Sequence, residues 1–290
     1  MAHATGYGPP GRSSPLSSSR RWLIRLPMRV LGAVCLFVWA AACGDPGRSH
    51  APSGEPEPPD VPGTSLGDPK EEVGTIFVHT GEALYTVDPV TFDLKVIGGF
   101  GIDKAMTDIA VALDGTLYGV SMTSLYTIDR KTGLATMKQA NVSSTNVALT
   151  FQTDGTLLAS DTTGAVRTID PVSGTIVEIG TYGAGFDTAG DLVAVADGTM
   201  FGISSKGPGT TKTSNVLLTV DPKTGVAQGV GPIGYDEVFG IAYSRGNVLA
   251  FTRAGEIIKI DPKTGAGTVV RVYPKEEFFG AGTSPLVPIL

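Results

Sequence analysis

The chain has little of what stitches proteins together or binds metals. Its two cysteines, Cys35 and Cys43, both fall within the first 43 residues. Everything after residue 43 can therefore build neither an internal disulfide nor a thiolate metal site. Of three histidines, His3, His50 and His79, only His79 lies beyond residue 73, so a zinc site built on His and Cys clusters is excluded. With one histidine, the usual bases of nucleophilic catalysis are scarce as well. Both tryptophans, Trp22 and Trp39, also precede residue 43. Basic charge is short. Residues 1–43 carry five arginines and no acid, which leaves residues 44–290 with 17 basic and 28 acidic side chains, a formal charge of −11. A nucleic-acid partner needs clustered basic residues, and this balance argues against one. No metal and no cofactor is expected.

Long apolar runs are missing too. The longest, Val30–Ala42, is shorter than the roughly 20 residues a membrane span requires. It has the length of the apolar core of a secretory signal, with Arg29 on its positive flank and small residues before the cut. Its end, Ala-Ala-Ala-Cys (40–43), resembles the lipobox of bacterial lipoproteins, with Ala40 where leucine is commoner. That resemblance implies a lipidated Cys43 as the mature N-terminus, membrane attachment through it, and an extracytoplasmic address at the envelope of a bacterium. An ordinary cleaved signal is the alternative. Met28 opens a complete short leader by itself, and Ser19–Arg25 resembles a twin-arginine export motif, a pattern that an Arg- and Ser-rich extension also produces by chance. Residues 44–73 are dominated by Pro, Gly, Glu and Asp. They cannot bury enough surface to offset ordering entropy and read as a solvated tether.

From residue 74 a pattern recurs. Leu84–Phe92, Leu125–Gly133, Val166–Gly174, Leu217–Gly225 and Ile257–Gly265 align without gaps, and their aspartates Asp88, Asp129, Asp170, Asp221 and Asp261 are spaced by 41, 41, 51 and 40 residues. A second element precedes each inner line: 113–121, 153–161, 196–204 and 244–252. A period near 41 built from short alternating strands predicts an all-β, five-bladed β-propeller over residues 74–290, each blade a four-stranded antiparallel sheet with strands A to D from the axis outward. Asp-Gly at three A–B turns signals tight hairpins. Asp-Pro-x-Thr/Ser-Gly at three C–D turns supplies a side-chain acceptor, a fixed φ and a left-handed position, so these aspartates are read as turn formers and not as calcium ligands. Phe92 replaces the glycine in the first blade and predicts a different turn there. The first repeat starts at strand B, while 278–285 matches the strand A at 239–244. The last strand is thus expected to complete the first blade and close the ring. The "LYTIDPxTG" lines resemble bacterial extracytoplasmic propellers with NHL-type or YVTN-type repeats, a likeness that implies architecture and no catalytic residue.

In such a ring the A–B and C–D turns share one face and the D–A and B–C connections the other. The first set is uniform and the second irregular, which points to recognition on the second. The fourth blade carries a B–C insertion at 204–215. The D–A loops are acidic, with Asp103, Asp108, Asp187, Asp191, Asp236, Glu237, Glu276 and Glu277, diluted by Lys104 and Lys275. Asp108 and Asp191 share one repeat position at the start of strand A, which Ala148 and a phenylalanine fill elsewhere. Facing the channel, the two could bind a cation or act as acid and base on a sugar, depending on their separation. Tyr182, Phe186 and Tyr235 join Asp108, Asp187, Asp191, Asp236 and Glu237 as candidate ligand-binding residues. The repeat-equivalent Phe239 and Phe279 read as packing between blades. Asn141 opens an Asn-Val-Ser acceptor, taken as coincidence beside a bacterial-type leader. The reading is a non-enzymatic module that binds a protein, peptide or glycan at the envelope. A glycan- or lactone-acting hydrolase or lyase built on channel carboxylates is the alternative.

Overall fold

The computed structural model describes residues 74–142, 145–207 and 214–288, all within the unit Val61–Leu290. The leader with Cys43, the tether and positions 208–213 of the fourth-blade insertion lie outside these residues.

Twenty strands form five four-stranded sheets. The first blade holds β1 (Ile76–His79), β2 (Ala83–Val87) and β3 (Leu94–Gly99), completed by β20 (Gly280–Gly282). The second holds β4 (Asp108–Val111), β5 (Leu117–Val120), β6 (Ser124–Ile128) and β7 (Ala135–Ala140). The third holds β8 (Asn146–Phe151), β9 (Leu157–Asp161), β10 (Ala165–Ile169) and β11 (Ile176–Thr181). The fourth holds β12 (Leu192–Ala194), β13 (Met200–Ser204), β14 (Val216–Val220) and β15 (Ala227–Pro232). The fifth holds β16 (Val238–Ser244), β17 (Asn247–Thr252), β18 (Glu256–Ile260) and β19 (Gly267–Val272). The A strands, β20, β4, β8, β12 and β16, neighbour one another in that order around the axis. This is the five-bladed propeller the repeats predict, and no helix occurs among the described residues.

Five apolar cores fill the spaces between neighbouring blades. Phe77 and Leu84 meet Ile109 and Leu117 between the first and second blades, and Phe201 and Ile203 meet Ile241 and Tyr243 between the fourth and fifth. Strands A and B are buried on nearly every residue, C strands such as β2 and β10 on about half, and D strands such as β7 are mostly exposed, as outer edges must be. Each large apolar side chain so buried is worth about 1.5–3 kcal/mol, so every blade depends on both neighbours.

Closure follows the expected register. β20 pairs with β1 through Phe77 and Gly282, Val78 and Ala281, His79 and Gly280. At the outer rim the fifth blade also grips the first: Arg271 Nη2 lies 2.6 Å from Asp93 Oδ1, and the Tyr273 hydroxyl donates to the Phe92 carbonyl at 2.8 Å.

The turns bear out the chemistry read from their residues, with one correction. Each C–D aspartate, Asp88, Asp129, Asp170, Asp221 and Asp261, accepts the N–H two residues on at 2.8 Å. In the first blade the turn is the same as the others. Phe92 takes φ 59°, and its N–H donates to the Asp88 carbonyl as Gly133 donates to that of Asp129. Packing of its ring against the core that includes Ile76 and Phe278 compensates for the strain. The Asp-Gly hairpins are three-residue loops, in which only the glycine is left-handed and Gly115 N–H donates to the Ala112 carbonyl at 3.0 Å. The fifth blade alone has the two-residue form, with Arg245 and Gly246 at φ 51° and 77°.

Candidate functional site

The strand A positions stack into two rings around the axis. The deeper ring follows from the registers: Asp108 opposite Val120, Ala148 opposite Ser160, Gly240 opposite Phe251, Gly280 opposite His79, and Asp191 one residue before Leu192. The sequence alignment places a phenylalanine in the fifth-blade slot. The structure places Gly240 there, because a β-bulge makes Phe239 the extra residue. A matching bulge in the third blade displaces Val147. The shallower ring is one residue earlier in each blade: Thr107, Val147, Gly190, Phe239 and Phe279.

In the deeper ring two carboxylates meet three residues with little or no side chain. Both aspartates are wholly buried. Each strand A has an inner edge with no strand to pair with, and its N–H groups at this level need acceptors. Asp108 Oδ1 accepts from Ile109 N at 2.8 Å and Oδ2 from Leu149 N at 2.6 Å. Asp191 Oδ2 accepts from Ile241 N at 2.8 Å and Ala281 N at 3.1 Å, and the Leu192 N–H also stabilises this carboxylate. These five donors occupy equivalent positions, one per blade. Two side chains thereby tie all five sheets at the axis.

The two carboxyl groups also hydrogen-bond to each other, which requires a proton between them. Burial pushes the Asp108 pKa well up, and the neighbouring Asp191 charge and hydrogen bond push it further. Burial also raises Asp191, opposed by its contact with Asp108 and its backbone donors. The proton belongs to the pair, and Asp191 Oδ1 meets no other donor among the described residues. His79 completes the cluster. Its Nδ1–H donates to the Thr80 carbonyl at 2.7 Å, burial holds its pKa down to about 4, and its bare Nε2 crowds the same space as Asp108 Oδ1 beside Gly280. Among the described residues no group of three or more His, Cys, Asp or Glu is arranged to hold a metal ion.

The shallower ring lines an open funnel of about 600 Å³ on the face of the D–A and B–C connections. All five blades contribute. The walls add Met106 and Met122, and Lys104 is its one charged lining residue. Phe239 and Phe279 meet across the boundary of the fifth and first blades, as expected, but outside the buried interblade cores. Their rings stack on each other at the mouth, centroids 6.0 Å apart and 9° from parallel. Gly190 is required beside them, since a Cβ there would strike the Phe239 backbone. A second, more polar cavity of about 500 Å³ shares Ala189 and Phe239 with the funnel and is lined by Lys206, Asn215, Asp236 and Glu237.

The remaining predicted site residues divide. Asp236 and Glu237 line the polar cavity, with Tyr235 half-buried beside them on the core between the fourth and fifth blades. Asp187 is used internally: it accepts from Ser204 Oγ, Ser205 N and Ser205 Oγ at 2.7–2.9 Å and pairs with Lys206 at 3.1 Å. Tyr182 is fully buried between the third and fourth blades, bonded to Ser160 Oγ at 3.2 Å, and burial pushes its pKa up to about 12. Phe186 packs against that core.

No family model and no curated protein matches the chain. Its likeness is to folds. A chain of a nidogen/laminin complex is similar over 72% of this chain and 97% of that one, at 10% identity and TM-score 0.50. A protein from work on the de novo evolutionary emergence of a symmetrical protein is similar over 74% of this chain and 100% of its own, at 16% identity and TM-score 0.49. The extracellular domain of a two-component system from B. thetaiotaomicron is similar over 69% of this chain and 27% of its own, at 14% identity and TM-score 0.41. At such identities the likeness concerns architecture alone.

Proposed function

We propose that this propeller is a non-enzymatic binding module that takes its ligand in the axial funnel and is displayed outside the cytoplasm on a lipid anchor at Cys43. The observation that carries the binding reading is the funnel. Its volume is that of a small-ligand site, its lining is apolar, and a rigid ring of strand ends holds its aromatic pair. The convergence of Asp108 and Asp191 would favour a paired-carboxylate enzyme if they were open to substrate. They lie one residue deeper than the funnel lining, carry no exposed surface and are occupied by backbone N–H groups. They serve the ring. Support for the anchor comes from the leader ending in Ala-Ala-Ala-Cys and the polar tether after it.

Two measurements test this. The purified protein is expected to enhance the fluorescence of 8-anilinonaphthalene-1-sulfonate in its native state, and Phe239→Ala with Phe279→Ala to abolish most of that signal while melting cooperatively. Equal binding by the double variant would refute the funnel. For the anchor, labelled palmitate is expected to enter the wild-type chain expressed in a bacterium and not Cys43→Ser. Labelling of both, or of neither, would refute lipidation at this residue.

A further inference from the structure

Resting on the funnel reading, we propose that the ligand is a short peptide with apolar side chains, bound by its two free ends across the mouth. The charges of the two adjacent cavities carry the argument. In the polar cavity, Lys206 is neutralised by Asp187 at 3.1 Å, and Glu237 faces Arg253 at 3.7 Å. Asp236 is exposed and has no ion-pair or hydrogen-bond partner, so among the described residues the cavity keeps one uncompensated negative charge. In the funnel the one charge is Lys104, exposed on the loop between the first and second blades, its Nζ 3.5 Å from Thr123 Oγ1. Asp236 belongs to the loop between the fourth and fifth blades. The two charges therefore stand two blade boundaries apart around a ring of five, with the apolar funnel and the Phe239–Phe279 pair between them.

A ligand complementary to this layout has an ammonium at one end, a carboxylate at the other and apolar groups between. A free peptide with bulky side chains has that chemistry. Its N-terminus would face Asp236 and its C-terminus Lys104, while its side chains cover the stacked rings. An acyl chain would leave the polar cavity unused. A glycan would place hydroxyls against an apolar wall.

The test uses the full-length protein and displacement of 8-anilinonaphthalene-1-sulfonate by the tripeptide Leu-Phe-Leu in three forms: free, N-acetylated and C-amidated. The free form is expected to bind best, with each cap weakening it about threefold to fivefold, as suits exposed charge pairs. Asp236→Asn should remove the penalty of acetylation but not of amidation, and Lys104→Gln the reverse. Equal binding of all three forms would overturn the end-recognition proposal. So would failure of any peptide to displace the dye. In either case, loss of dye binding in the Phe239→Ala, Phe279→Ala protein would leave the funnel reading standing, whereas unchanged dye binding there would end both.

Discussion

At the residue scale, the molecule turns on Asp191 and Asp108. Replacing Asp191 by alanine strips the acceptor from at least two buried backbone N–H groups, Ile241 and Ala281, and should cost about 2–5 kcal/mol in urea unfolding. The pair also sets a pH dependence. Asp108 titrates well above its ordinary value of 3.8 in the folded state, so its contribution is complete below that value and is lost as pH rises through the raised one. Unfolding free energy should therefore fall toward alkaline pH in the wild type, and the fall should flatten in Asp108→Asn, whose amide still donates to Asp191 but does not titrate. Equal slopes in the two proteins would contradict a shared proton. Gly280→Ala should destabilise by about 1–3 kcal/mol, because the new methyl would occupy the space of Asp108 Oδ1 and His79 Nε2. The kinship of Asp108 and Asp191 was readable from the repeat, because both start a strand A. His79 was not, since it ends a strand in a repeat whose partner strand lies about two hundred residues away. Nor was Gly240, since a one-residue bulge shifts the frame without leaving a mark in the letters.

At the scale of the element, the C–D turns were the most legible part of the sequence, and they make a prediction opposite in sign to that of the axis. Backbone N–H donors hold Asp129 below its ordinary pKa, and the same donors lower Asp88, Asp221 and Asp261; at Asp170 the Ser173 hydroxyl leads. Stability from these groups is present above their unfolded value and lost as pH falls through the lowered ones. Melting temperatures measured from pH 5 to pH 2 should drop less steeply when Asp129, Asp170 and Asp221 are all changed to Asn, which keeps the acceptor but carries no charge. The one turn misjudged from sequence, at Phe92, shows the limit of residue-by-residue turn rules: four aligned glycines describe the local preference, but the ring packs into a core formed by the last blade, which local letters cannot reveal. The aromatics beside the loops were ambiguous for the same reason. Tyr182 and Phe239 both flank D–A loops, and only the interblade packing separates a core ring from a ring at the mouth.

At the scale of the whole molecule, five interblade cores and one short closing strand make a cooperative ring. Removing residues 278–290 deletes β20, leaves β1 paired on one side only, with β2, and takes Ala281 from Asp191. The truncated chain should lose its single sharp thermal transition by circular dichroism, whereas retention of a wild-type melt would show that closure is dispensable. The count of blades and the place of closure followed from sequence because repeats carry their own alignment. What the irregular face binds did not, because loops are shaped by where the scaffold sets them. The position of β20 also has a consequence for biogenesis. The strand that completes the first sheet is made about two hundred residues after the strand it pairs with. Until that strand emerges, the nascent chain carries an unpaired β1 edge and an axial aspartate short of one of its donors. A chain of this design cannot close its ring before that strand appears, so anything that binds it earlier meets an open circle.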